Sequence, residues 1–148
     1  MMANYRNILA AVDLDDESNV VIYKATELGE LYSAPVSIVH VIEPVGYAYG
    51  GDIPLDLTEV QEQLHQHARQ RLEVIGKQFD ISEDRIHVII GRPDTEIHRL
   101  AEDNRFDLVV LGSHGRHGLQ LLAGSTSSGV LHGASCDILA VRLHKKQD

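Results

Sequence analysis

The sequence predicts an α/β fold: a five-stranded parallel sheet, doubly wound, with helices on both faces. Three observations carry that reading. Short apolar runs rich in Val and Ile alternate with longer stretches whose apolar residues recur every three or four positions, the pattern of successive βαβ units. Five such runs are too few to close a barrel, and right-handed crossovers then wind the sheet in both directions. Gly, Pro, Asp and Ser fall where helices must start or stop. The 148 residues read as one domain, 1–148, without linker, internal repeat or low-complexity segment, and long enough to bury a substantial core.

The elements follow in order. Tyr5 to Val12 (YRNILAAV) reads as the first strand, ending at Asp13. In the acidic segment that follows, Asp15, Asp16 or Ser18 can cap a helix whose buried stripe is Val21, Ala25, Leu28 and Tyr32. Ser33 and Pro35 stop that helix, and Val36 to Ile42 (VSIVHVI) forms the second strand. Pro44 to Leu55 is a loop rich in Gly, Pro and Tyr. A long helix starts near Asp56 or Thr58 and presents Val60, Leu64, Ala68, Leu72, Ile75 and Phe79 on one face. Arg85 to Ile90 is the third strand, ended by Gly91. Pro93 suits a first helical turn, with Asp94 and Glu96 beside the positive helix end and Ile97, Leu100 and Ala101 turned inward. Leu108 to Leu111 is the fourth strand. A glycine-rich loop, a helix from about Ser125 to Gly133 and a last strand from Ile138 to Leu143 complete the chain, and the tail HKKQD is expected to fray.

The totals exclude several classes. No apolar run approaches the ~20 residues that span a bilayer. The N-terminus lacks the basic region and long apolar stretch of a signal peptide. Cys136 is the single cysteine, so no intrachain disulfide forms, which fits a reducing cytoplasm. A net charge of -9 opposes nucleic-acid backbones and anionic membrane surfaces. The same charge works against an ATP ligand unless local dipoles, Arg116 or a divalent cation offset it.

The chemistry concentrates between Asp107 and Thr126 (DLVVLGSHGRHGLQLLAGST). A buried strand leads into a loop with Gly112, Gly115 and Gly118, and Gly124, Ser125 and Thr126 then precede a helix. Backbone without Cβ atoms can approach a ligand closely, and a helix start offers unpaired N–H groups to an anion. Strand, glycine loop and helix N-terminus together make a phosphate cradle. In a doubly wound sheet, ligands sit outside the C-terminal strand ends where the winding reverses. If the reversal falls between the first and fourth strands, Asp13 and Gly112 line one crevice. The stretch is neither a Walker A loop nor a Gly-x-Gly-x-x-Gly fingerprint. A helix end favours an exposed anion by only about 0.3–1 kcal/mol, whereas micromolar affinity needs roughly 8 kcal/mol. Several charge-assisted hydrogen bonds, about 1.5–3 kcal/mol each, must come from backbone N–H groups, Ser125 and Thr126. Ala11 and Val41, at the ends of the first two strands, are candidate walls for a base.

Several segments together carry a family resemblance: ILAAVD at 8–13, VHVIE at 39–43, GRPDTEI at 91–97, DLVVLGSHGRHGL at 107–119, GST at 124–126 and CDILAVR at 136–142. On these the chain resembles the universal stress proteins over essentially its whole length. The resemblance implies a Rossmann-like sheet of the adenine nucleotide alpha hydrolase type, strand order 3-2-1-4-5, and a stress-response role exercised through bound ATP, ADP or AMP, with Mg2+ as counter-charge. Nucleotide-binding members carry Gly-x-x-Gly, about nine residues, then Gly followed by Ser or Thr. That pattern maps onto Gly112, Gly115, Gly124 and Ser125. The adenosine-contacting acid maps onto Asp13 and the base-contacting valine onto Val41. The spacer Arg116 to Ala123 is eight residues, so this loop closes differently, and Ala11 stands where a proline is common.

Other assignments compete with these. Asp13 can contact a ribose, help hold a metal, or cap the first helix; Arg116 can meet a β- or γ-phosphate or lie free on the surface. His114 and His117 lack carboxylate or thiol neighbours at ligand spacing, so they read as exposed loop histidines and no metal site is expected. His65 and His67 point to different helix faces. Cys136 reads as a small buried residue. No nucleophile–base–orienter set is visible, which leaves slow ATP turnover by entering water as the only enzymatic option. The last strand is apolar and should lie at a sheet edge, where pairing of residues 138–143 with their two-fold mates gives a homodimer. A different class of reading is a nucleotide-independent protein acting through its dimer surface and the 44–55 loop on an unknown downstream partner.

Overall fold

The computed structural model describes residues 5–44, 58–113 and 136–143. The long loop after Pro44, the glycine-rich loop, the helix near 125–133 and the tail 144–148 lie outside these residues. Five strands, β1 (Ile8–Ala11), β2 (Val36–Ile42), β3 (Ile86–Ile90), β4 (Leu108–Gly112) and β5 (Asp137–Val141), form one sheet in the order β3-β2-β1-β4-β5. Every pairing is parallel. Three helices are described: α1 (Ser18–Tyr32), α2 (Thr58–Gln78) and α3 (Pro93–Asp103).

Winding in both directions divides the core into two layers. On one face, Ile8, Ala10, Val36, Ile38, Leu108 and Val110 meet Val21, Ile22 and Ala25 of α1 and Leu72 of α2. On the other, Leu9, Ala11, Val39, Val41, Val109 and Leu111 meet Ile97 and Ala101 of α3. Alternate residues of one strand serve opposite layers, so β1 and β4 are buried on both sides and read as unbroken apolar runs.

Several strand boundaries differ from expectation, and three of the strands show a visible reason. β1 begins at Ile8 rather than Tyr5, because the Arg6 and Asn7 N–H groups donate to the Asp107 carboxylate at 2.8 and 3.1 Å instead of joining a ladder. β3 begins at Ile86 because Glu83–Arg85 turn as a short 3-10 helix. β5 spans Asp137–Val141, and beyond it Leu143 donates its N–H to Ser113 Oγ at 3.0 Å. The apolar stripe of α2 is buried only from Ala68 onward, with Val60 and Leu64 each 42% exposed. A 21-residue helix runs about 31 Å, whereas the five-residue β3 beneath it runs about 17 Å, so the helix is longer than the strand it covers.

α1 ends as its sequence requires. Ser33 adopts the left-handed region at φ 54°, and Ala34 N–H folds back to the Gly29 carbonyl at 2.8 Å. α3 starts with Pro93 in its first turn and carries Asp94 and Glu96 there, which suits the positive helix end. No helix among the described residues is long and apolar enough to cross a membrane.

Candidate functional site

The strand order puts the change of winding direction between β1 and β4. The chain leaves β1 toward β2 and β3 on one side, then returns to β4 and β5 on the other. At such a point the connections leaving the two strands diverge in opposite directions and open a cleft at their C-terminal ends.

The residues after β1 are held from several directions. Val12 N–H donates to the Val39 carbonyl at 3.0 Å, and the Val12 carbonyl accepts from His40 Nδ1 at 2.8 Å. That bond places a proton on Nδ1 and anchors the end of β1 to β2. The carboxylate capping α1 is Asp15, whose Oδ1 accepts the Ser18 N–H at 3.2 Å. The Ser18 hydroxyl, 3% exposed, donates to the Asp13 carbonyl. The turn from Asp13 to Glu17 is therefore braced at its backbone by the first residue of α1.

Asp13 and Gly112 line the same crevice, together with Ala11, Ser18, Val21 and Leu143. Between these described walls the space is about 10 Å3, room for about one water. Leu143 is brought there by the Ser113 hydroxyl, and Ser113 N–H donates to the Val141 carbonyl at 2.9 Å. The Gly112 end of β4 is thereby tied to the chain leaving β5. Val41, 2% exposed, lies on the same sheet face as Ala11, two residues beyond its partner Val39. The structure thus brings together Ala11, Asp13 and Gly112, and sets Val41 one strand away. Gly115, Arg116, Gly124, Ser125, Thr126, His114 and His117 lie outside the described residues.

His40 was missed as a supporting residue by sequence reasoning, although a polar side chain between Val39 and Val41 in a buried strand is a readable signal. No group of three or more metal-binding side chains occurs among the described residues. Cys136 is half-buried, and burial, with the Asp137 and Asp107 carboxylates, pushes its thiol up, away from the nucleophilic thiolate.

The profile of the Universal stress protein family matches residues 4–142. The chain belongs to that family. A curated relative, Universal stress protein A homolog 2 of Coxiella burnetii, is 42% identical over 146 residues, covering 96% of this chain and 98% of its own. Among solved structures, the universal stress protein UspA from Lactobacillus plantarum superposes with a TM-score of 0.72 at 25% identity, covering 95% of this chain and all of its own. A universal stress protein solved in complex with cAMP matches with a TM-score of 0.57 at 19% identity, covering 94% and 98% of the two chains. At that identity the likeness concerns the shared fold.

Proposed function

We propose that this universal stress protein binds an adenine nucleotide, ATP or its ADP and AMP forms, at the β1–β4 switch point, and that the bound state serves as a regulatory input in a stress response. The observation that carries the reading is the shared crevice of Asp13 and Gly112, located where a doubly wound sheet accepts ligands and where the glycine-rich segment begins. Ala11, Asp13 and Val41 shape the adenosine side. Gly112, Gly115, Gly124, Ser125 and Thr126 hold the phosphates, and Arg116 meets their outer end. Mg2+ on the phosphates offsets a chain charge of -9. The cAMP complex of a distant family member supports the ligand class. The protein acts in the cytoplasm as a homodimer joined along β5, a strand at the sheet edge with exposed or half-buried side chains throughout.

Titration calorimetry with ATP and Mg2+ tests the site. The wild type binds, Asp13→Ala weakens binding at least tenfold, and Gly124→Val abolishes it while the circular dichroism spectrum is kept. Unchanged affinity in both variants refutes the assignment. A second reading, a nucleotide-independent protein working through its surface, is favoured by one observation. α1 presents Val20, Tyr23 and Leu31, 48%, 61% and 73% exposed, along a single helical face. Absence of ATP binding by the wild type, with a partner retained by α1, selects that reading.

A further inference from the structure

Across the β1–α1 turn from the crevice, α2 approaches without packing flush. A groove of about 390 Å3 separates them, lined among others by Asp15, Asp16, His67, Arg71 and Val74. One side chain bridges it: Arg71 Nη2 donates to the Leu14 carbonyl at 3.0 Å, joining residues 57 apart in sequence.

We propose that Arg71 is a positioning residue for the nucleotide: its hydrogen bond to the Leu14 carbonyl fixes the turn that carries Asp13. The inference rests on the nucleotide reading given above. Leu14 lies between Asp13 and Asp15, and Asp15 lines both the groove and the crevice. The turn is thus a thin wall, and a shift on its α2 side reappears on its Gly112 side. The Ser18 bonds to Asp13 and Asp15 are local and move with α1. The Arg71 bond comes from a different helix and fixes the turn relative to the sheet that α2 covers. A guanidinium suits the task because its planar donors reach a carbonyl at fixed geometry.

The test uses the full chain and ATP with Mg2+ as the probe. Arg71→Met keeps the aliphatic stem and removes the donors; Arg71→Lys restores one charged donor; Arg99→Met removes the exposed Arg99–Glu96 pair on α3 as a control. Loss of one hydrogen bond predicts an ATP dissociation constant raised about 2- to 12-fold in Arg71→Met, with partial recovery in Arg71→Lys and no change in Arg99→Met. Amide exchange of the free protein should speed up at residues 13–17 in Arg71→Met while the melting temperature holds. A purely structural role lowers the melting temperature and leaves affinity and local exchange alone, which overturns the inference. Binding by the wild type that Arg71→Met leaves unchanged overturns it too. A wild type that does not bind ATP overturns the functional reading and the inference together, so the two failures are distinct.

Discussion

Gly29→Ala sets two known effects against each other at one atom. Alanine in place of a helical glycine gains about 1 kcal/mol from propensity. At Gly29, however, an added Cβ stands 2.8 Å from the Ala34 carbonyl oxygen and 2.8 Å from Val36 Cγ2, inside the 3.4–4 Å of ordinary contact. Neither neighbour can retreat cheaply. Ala34 N–H is bonded to the Gly29 carbonyl at 2.8 Å, and the next carbonyl, of Pro35, accepts from Ile8 in β1 at 3.1 Å. Overpacking of this kind costs about 1–3 kcal/mol, so the clash outweighs the propensity gain by up to about 2 kcal/mol. In a chain of 148 residues that lowers the melting temperature by up to about 6 °C. Gly76→Ala is the control. Its added Cβ meets Ile86 Cδ1 at 3.0 Å, the end of a flexible side chain, and Ile81 O at 3.2 Å. There propensity and crowding nearly cancel, and stability stays within about 1 kcal/mol of the wild type. Urea unfolding followed by circular dichroism reads both variants. A Gly29→Ala protein more stable than the wild type refutes the close approach of α1 to the start of β2.

Two further predictions concern pH and capping. His87, half-buried in β3, has its pKa held below 6.5 by burial first and then by Arg69 and Arg85. The folded state favours the neutral ring, so its contribution is full above pH 6.5 and is lost as pH falls below 6.5 through the folded pKa. Urea midpoints at about pH 7.5 and about pH 5.5 should therefore differ more in the wild type than in His87→Gln, and equal differences contradict the assignment. Asp15→Ala removes the cap on the Ser18 N–H and should cost about 0.5–1 kcal/mol, the lower part of the usual range, because that N–H also reaches the Asp15 carbonyl at 3.1 Å. A variant as stable as the wild type in urea places the cap elsewhere.

The architecture was legible because each local signal agreed with the global one. Leu108–Leu111 is apolar on both faces and Val36–Ile42 is so apart from Ser37 and His40, as a covered parallel sheet requires, and Pro93 with Asp94 and Glu96 marks the start of α3 within a residue. Two of the failures fall where a side chain replaces a ladder bond. Tyr5–Asn7 continue the strand pattern, yet the Asp107 carboxylate takes the Arg6 and Asn7 N–H groups. Leu143 likewise reads as strand but is held by Ser113. Hydropathy periodicity carries no trace of such long-range partners. Among the candidate site residues, Ala11, Asp13 and Gly112 meet as the predicted strand order requires. Arg71 gave no sequence signal, because an arginine on the polar face of an amphipathic helix reads as a solvated charge.

The central claim, an adenine nucleotide held at the β1–β4 switch point, is tested most directly by denaturing the purified protein without added ligand and identifying the released nucleotide by mass spectrometry. The account predicts ATP, ADP or AMP approaching one per chain, and a Gly124→Val protein that releases none. An empty wild-type extract, followed by no heat on titration with ATP and Mg2+, contradicts it.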